Sequence, residues 1–310
     1  MSIQNHSVSL EWGGRTLTIE TGLFAPQANG AVTVRYGDTV VLVTATMARE
    51  PRPGMDFFPL TVDFEERYYA AGKMPGSRFV RRETRPGEEA ILNGRLIDRS
   101  IRPQFPKGAL NDVQVVCTTL VYDGENEVDI PALIGASAAL HMWDIPFEGP
   151  IGGVKIGMID GDFVINPTHE QLETGQLELV VSARREGICM IEAGAKQVSE
   201  EQMAEAHELA FALIKPVLDL QDELREKFGK SKGEMKISKI PDAVVNAIEE
   251  KFGAEFKIAI LTPYKGERNE NLDNLKIRAK EELAPTLGDD ASYIGAAFEK
   301  IAAKVVRTAI

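Results

Sequence analysis

"AVTVRYGDTVVLVTATM", residues 31–47, is a pair of alternating apolar runs on either side of Gly37-Asp38. Period-two alternation broken by a Gly-Asp pair predicts an antiparallel hairpin. Upstream, "SVSLEWGGRTLTIE" (7–20) repeats the pattern around Gly13-Gly14. Downstream, "DFFPLTVDFEERYYA" (56–70) reads as a further extended segment and "DVQVVCTTLVY" (112–122) as a buried strand. Between them "GEEAILNGRLIDRSI" (87–101) has helical spacing, and Pro103 ends that helix near Arg102. "DIPALIGASAALHMW" (129–143) is a second helix with Asp129 as candidate N-cap and Pro131 in its first turn. Its run of Gly135, Ala136, Ser137, Ala138 and Ala139 lets it lie close against a sheet.

A second set of strands opens at "GPIGGVKIGMIDGDFVINP" (149–167), with Asp160-Gly161 as a hairpin turn, and continues through "QLELVVSAR" (176–184) and "GICMIEAG" (187–194). Ser199 and Gln202 form a capping box for a long helix that Pro216 is expected to kink. "GKSKG" (229–233) is polar and flexible in composition and marks a domain boundary. The rest is helical in period, broken near "LTPYKGERNE" (261–270) and "APTLGDDAS" (284–292). Strands and helices interleave without a regular βαβ repeat, so the class is α+β. The expected domains are 1–146 and 147–230, two parts of one core, and 231–310, a helical domain. Ile310 falls in mid-helix, which reads as a longer protein divided there.

The chain has 310 residues, 44 % hydrophobic and 26 % charged, which are globular values. No apolar run reaches the roughly 18–20 residues of a membrane span, and the N-terminus lacks a secretory pattern. Cys117 and Cys189 lie in apolar runs and read as buried thiols of a reducing compartment. The four histidines have no metal-ligand spacing. A cytoplasmic protein is expected. No P-loop is present, and "GGVKIG" leads into a strand, the wrong context for a dinucleotide fingerprint.

Net charge is −12, but residues 67–107 hold ten Lys/Arg against four Asp/Glu. A basic patch on a repelling body suits a polyanion that enters at one place. Within it, "KMPGSRFVRRETRPGEE" (73–89) sets Phe79, Arg81, Arg82 and Arg85 in a segment broken by Gly and Pro. An aromatic ring beside arginines suits single-stranded nucleic acid, the ring stacking a base and the arginines neutralising the backbone. Phe79 as a core anchor is the structural alternative. On the following helix Arg95, Arg99 and Arg102 fall within a ~60° arc, with Ala90, Gly94, Ile97 and Ile101 opposite. Guanidinium forks bind phosphate bidentately; the alternative is ion pairing within the fold.

"FFPLTVDFEERYYAAGKMPGS" (57–77), "RRETRPGEEAIL" (81–92), "GRLIDRSIRPQFPKG" (94–108), "IGASAAL" (134–140) and "NPTHEQLETGQLELVVSA" (166–183) resemble the first core of the bacterial polynucleotide phosphorylase (polyribonucleotide nucleotidyltransferase) family. The resemblance covers essentially the whole chain. It implies a ribonuclease PH-like core (ribosomal protein S5 domain 2-like) to about residue 230, then a small all-helical domain. It also implies an enzyme that shortens single-stranded RNA from the 3′ end with inorganic phosphate, releasing nucleoside diphosphates. Magnesium assists, bound mainly by a second core; KH and S1 domains add RNA affinity. A homotrimeric ring and partners in RNA degradation are further implications. The family's arginine-rich loop maps onto Phe79, Arg81 and Arg82, in a form one residue longer than the usual Phe-Phe-Arg-Arg, with Val80 between. Replacing Arg81 or Arg82 is expected to weaken binding of all RNA sequences alike and to lower the salt slope by about one each.

The family's catalytic core carries two aspartates six residues apart and a nearby lysine. Aligned through "QLELVVSA", these positions hold Leu172, Glu178 and Val180. Phosphorolysis needs carboxylates for the metal and cations for charge. Here the pair and the lysine are gone, with Glu170 and Glu173 as spare carboxylates nearby, and "VYDGENEVDIPALIGAS" (121–137) is acidic where phosphate would sit. The resemblance therefore implies a core with no catalytic or metal residues of its own. It acts either as the N-terminal portion of the full enzyme or as a free-standing RNA-binding and assembly subunit like the inert subunits of exosome rings.

Overall fold

The structure, a computed structural model, describes residues 5–74 and 85–310. The chain divides into two units, Met1–Ile237 and Ser238–Ile310.

The first unit begins with the two expected hairpins. β1 (His6–Trp12) pairs antiparallel with β2 (Arg15–Thr21), and β3 (Gly30–Tyr36) with β4 (Thr39–Met47). They lie in a six-stranded sheet of order β1-β2-β3-β4-β6-β5, where β5 is Leu60–Glu65 and β6 is Val113–Val121. β5 runs parallel to β6, Leu60 opposite Val113. Parallel neighbours require a crossover, and α1 (Glu88–Ile101) lies within it. One β-α-β crossover is thus set into an otherwise antiparallel sheet. The extended reading of residues 56–70 holds only for β5. Tyr68–Ala71 form a 3-10 turn closed by Gly72 at φ 65°.

The second sheet is antiparallel, in the order β10 (Gly187–Ala195), β9 (Leu177–Arg184), β7 (Gly152–Ile159), β8 (Asp162–Ile165), with Asp160-Gly161 joining β7 to β8. Between the sheets runs α2 (Asp129–Met142), every residue of which is buried. A helix apolar on all sides belongs in a core. It packs on β3 and β4 on one side and on β7 on the other. Both approaches are too close for a side chain. A Cβ on Gly135 would stand 2.6 Å from Val43 Cγ2, and one on Gly153 2.4 Å from Leu133 Cδ2. The expected N-cap is corrected here: Val128 occupies that position and makes no side-chain cap, while Asp129 is the first helical residue. Its carboxylate accepts the Ile130 N–H through Oδ1 at 2.7 Å and faces Lys155 with Oδ2.

α3 (His169–Thr174) is a short helix with its own capping box. α4 (Glu200–Phe228) carries the Ser199–Gln202 capping box and passes through Pro216 without ending. Its buried residues Ala206, Ala210, Ile214, Val217, Leu218, Leu220, Gln221 and Leu224 form one face, laid on β1, β7 and β9.

Residues 229–233 are flexible in composition but tied down in the fold. Lys232 Nζ donates to the carbonyl oxygens of Leu140 (2.7 Å), Trp143 (2.8 Å) and Ile145 (2.8 Å). The backbone N–H groups of Lys230 and Gly233 donate to Met142 and Asp144 at 2.8 and 2.6 Å. The last carbonyls of a helix need partners from outside it, and this segment supplies them to α2. The division into units falls four residues later, after Ile237.

The second unit is built of α5 (Asp242–Ile260), α6 (Lys265–Leu287) and α7 (Ile294–Ala309). The breaks fall within the two stretches that the sequence singles out, the second being a 3-10 turn at Gly288–Tyr293. Its core gathers Ile248, Phe252, Phe256, Leu275, Phe298 and Ile301, with Phe256 and Phe298 edge to face at 5.1 Å. Among the described residues no helix is long and apolar enough to cross a membrane.

Candidate functional site

Phe79, Arg81 and Arg82 lie outside the described residues. What leads into and out of their segment is described. The 3-10 turn Tyr68–Ala71 is anchored by Tyr122 N–H donating to Ala70 O at 2.9 Å, and Lys73 N–H returns to Tyr68 O at 2.9 Å. Tyr68, Tyr69 and Met74 are exposed on this side. On the other side Arg85 is exposed and α1 starts at Glu88.

α1 packs as its spacing predicts. Ala90, Gly94, Ile97 and Ile101 are buried, and the helix lies on β5. The three arginines opposite are not equivalent. Arg95 is exposed and makes no hydrogen bond or ion pair with the described residues. Arg99 pairs with Glu192 on β10. Arg102 is held at several points: Nε and a terminal nitrogen donate to the Asp98 carboxylate at 3.0 and 2.7 Å. Its terminal nitrogens also donate to Phe58 O and Leu60 O at 3.3 and 3.1 Å, and the guanidinium stands 5.8 Å from the Phe58 ring centroid. Among the described residues, the row of guanidinium groups read from the spacing is therefore one unengaged group and two that make contacts within the fold.

The second set of residues lies where the two sheets meet α2. Leu172 is half-buried on α3, Glu178 and Val180 are on β9, and Val180 is buried. Lys155 on β7 sits directly across the ladder from Val180. It is 3 % exposed. Its Nζ lies 3.1 Å from Asp129 Oδ2, 3.1 Å from Glu178 Oε1, and pairs also with Glu127. His169 Nδ1 stands 3.0 Å from the other Glu127 oxygen. Burial alone would depress the Lys155 pKa, but Asp129, Glu127 and Glu178 together raise it. Burial and the neighbouring Asp129 raise the Glu127 carboxyl against the pull of Lys155.

Lys155 is the residue that sequence reasoning missed. Its signal was a single charge inside the run Gly152–Met158, whose other residues are buried and uncharged. A charge in such a strand needs buried partners. The acidic loop that follows β6 is folded around Asp123. That carboxylate accepts the N–H groups of Glu125 (2.9 Å) and Asn126 (2.8 Å) and the amide of Asn126 (2.5 Å). Burial would raise its pKa, but these hydrogen bonds hold it down at about 2. Among the described residues no group of three or more His, Cys, Asp or Glu side chains is arranged to hold a metal ion. Glu127, Asp129 and Glu178 are directed to an ammonium group, and a divalent cation does not fit while that group is there.

Two family models match: 3′ exoribonuclease family, domain 1, over residues 13–146, and 3′ exoribonuclease family, domain 2, over residues 149–212. The polyribonucleotide nucleotidyltransferase of Heliobacterium modesticaldum is 48 % identical over 97 % of this chain and 42 % of its own length. That of Halalkalibacterium halodurans is 43 % identical over 100 % of this chain and 44 % of its own length. The chain thus spans about two fifths of the length of these curated relatives. A solved structure titled as the Archaeoglobus fulgidus exosome with RNA bound to the active site matches with TM-score 0.51 at 17 % identity, over 73 % of this chain and 88 % of that one. At that identity the likeness concerns the fold. With both family models in chain order over the first unit and whole-chain identity to curated members, this chain belongs to the 3′ exoribonuclease family.

Proposed function

We propose that this chain is the RNA-guiding first core, with its adjoining helical domain, of a phosphorolytic 3′-to-5′ exoribonuclease. The full enzyme degrades single-stranded RNA with inorganic phosphate to nucleoside diphosphates. Catalysis and the assisting magnesium belong to a second core, and the ring is a cytoplasmic homotrimer that works with other RNA-degrading partners. Residues 1–146 and 147–230 are the two parts of the ribonuclease PH-like core, and 231–310 are the family's all-helical domain. Arg81, Arg82, Arg85 and Arg95 take the RNA backbone, with Phe79 as the stacking ring; Arg99 and Arg102 contribute secondarily.

The observation that carries the reading is the environment of Lys155. At the positions where the family's catalytic core holds two aspartates and a lysine, this core holds Leu172, Glu178 and Val180, and Glu178 is spent on Lys155. Phosphoryl transfer needs a metal and a phosphate-binding cation free to act. Here the cation is enclosed by carboxylates. Incubated alone with poly(A), phosphate and magnesium, the chain is expected to bind the RNA and release no ADP. Steady release of ADP would overturn the reading, and absence of RNA binding at low salt would remove the guiding role.

A further inference from the structure

Lys155 Nζ donates hydrogen bonds to Glu127 and to Glu178 Oε1 (3.1 Å) and stands 3.1 Å from Asp129 Oδ2 as an ion pair, so carboxylates from three different elements meet on one ammonium group. Glu127 comes from the loop before α2, Asp129 from the first turn of α2, and Glu178 from β9. Lys155 itself comes from β7, so one charged group joins four pieces of chain. Among these, Glu178 is 51 % exposed at its side chain, whereas Lys155 is almost wholly enclosed. Proteins hold hard divalent cations through oxygen ligands, carboxylates above all, with magnesium at about 2.0–2.1 Å and keeping several waters. The ammonium stands 3.1 Å from Asp129 Oδ2 and from Glu178 Oε1 and pairs with Glu127, supplying one positive charge where a divalent ion would supply two.

We propose that Lys155 is an internal, covalently attached cation that replaces a divalent ion in this core, so that Glu127, Asp129 and Glu178 are gathered and charge-compensated without metal. This rests on the reading that the core is the non-catalytic one of a pair. It adds that the position among these carboxylates is filled by one side chain, Lys155. Removing the ammonium leaves three carboxylates around a space, with His169 beside Glu127 as the remaining protein group that can take a positive charge, and the rest to be balanced by an ion from solution.

The test uses the full chain and Mn2+ as the probe, followed by electron paramagnetic resonance and thermal melting. The wild type is expected to bind no Mn2+ that is lost on Glu127→Gln or Glu178→Gln. Lys155→Ala is expected to gain one Mn2+ per chain. That ion is lost again when Glu178→Gln is added, and Mn2+ at 100 times its dissociation constant raises the folded-to-unfolded ratio of Lys155→Ala about 100-fold. Should Lys155→Ala not fold in metal-free buffer, refolding with millimolar Mn2+ is the same measurement: recovery of a folded, Mn2+-loaded chain supports the proposal. Failure to fold with and without the ion overturns it, as does a folded Lys155→Ala that takes up no Mn2+. A wild-type chain that binds Mn2+ through Glu127 and Glu178 overturns it as well. Release of ADP by the wild type bears on the inertness of the core, whereas these binding results bear on Lys155, so the two can fail separately.

Discussion

Arg95 lies on α1 and Arg102 directly follows its last residue, yet their surroundings assign them opposite effects on substitution. Arg95 is exposed and unengaged among the described residues. In the proposed role it meets one phosphate, so Arg95→Ala should lower the slope of log K against log salt by about 0.7, the single-strand value per phosphate. At roughly 0.1 M salt that is about a fivefold loss of affinity, with the melting temperature unchanged. Arg102 makes a bidentate pair with Asp98, two hydrogen bonds to carbonyl oxygens and a ring contact with Phe58. Its side chain is 41 % exposed, so each contribution counts at the lower end of its range. Together they come to about 3 kcal/mol. For a unit of this size Arg102→Ala should melt roughly 6–12 °C lower, with the salt slope kept. Arg99→Ala should fall between, since it frees Glu192 as it removes a charge. Anisotropy of a labelled oligo(A) across a salt series, with circular dichroism melts of the same proteins, reads both quantities. If Arg102→Ala melted like the wild type and lost the slope, while Arg95→Ala kept it, the division of labour argued here would be wrong.

Lys232→Met keeps the length of the side chain and removes three charged hydrogen bonds; a loss of about 2–3 kcal/mol is expected. Denaturant midpoints measure the loss, and amide exchange should rise in residues 229–237 before it rises elsewhere. Burial and the nearby Arg225 depress the Lys232 pKa to about 7, but a neutral amine has two protons for three carbonyl acceptors, so the ammonium is the form the geometry satisfies. His141, buried with Nε2 2.8 Å from Asp222, has its pKa lowered by burial to about 4, against the pull of Asp222. The folded state therefore binds fewer protons than the unfolded one below the ordinary histidine value. Stability should fall by about 3 kcal/mol as pH drops from 6.5 to 4 and level off below. Denaturant midpoints through that window should flatten in His141→Gln.

What was legible in the sequence was local. The hairpins at Gly13-Gly14, Gly37-Asp38 and Asp160-Gly161 depend on turn residues beside their own strands. The capping box of α4 uses residues three apart, and the buried face of α1 follows from a repeat along a single helix. What escaped was set by partners distant in the chain. Leu60–Glu65 was readable as extended, but not its parallel place beside β6. Asp129 has the chemistry of an N-cap, and only the arrival of β7 brings Lys155 to its second carboxylate oxygen. "GKSKG" has the composition of a flexible linker because composition does not record that Lys232 reaches three carbonyls at and just past the end of a helix about ninety residues earlier. The spacing of Arg95, Arg99 and Arg102 located a face correctly, but not which charges on it were already taken.

α2 belongs by sequence to the first of the two matched family segments, and by packing to both. One of its sides is fitted to Val34 and Val43 at the absent side chain of Gly135; the other has Leu133 fitted to the space left by Gly153. The two segments thus share one core, divided in the annotation of families but not in the physics of folding. A fragment ending at residue 146 would carry a helix with half its surroundings missing, and one beginning at residue 149 would carry a sheet with a groove and nothing to fill it. Duplication, exchange or shuffling of this architecture is therefore confined to the whole of it: the smallest piece that can be inherited intact is the pair.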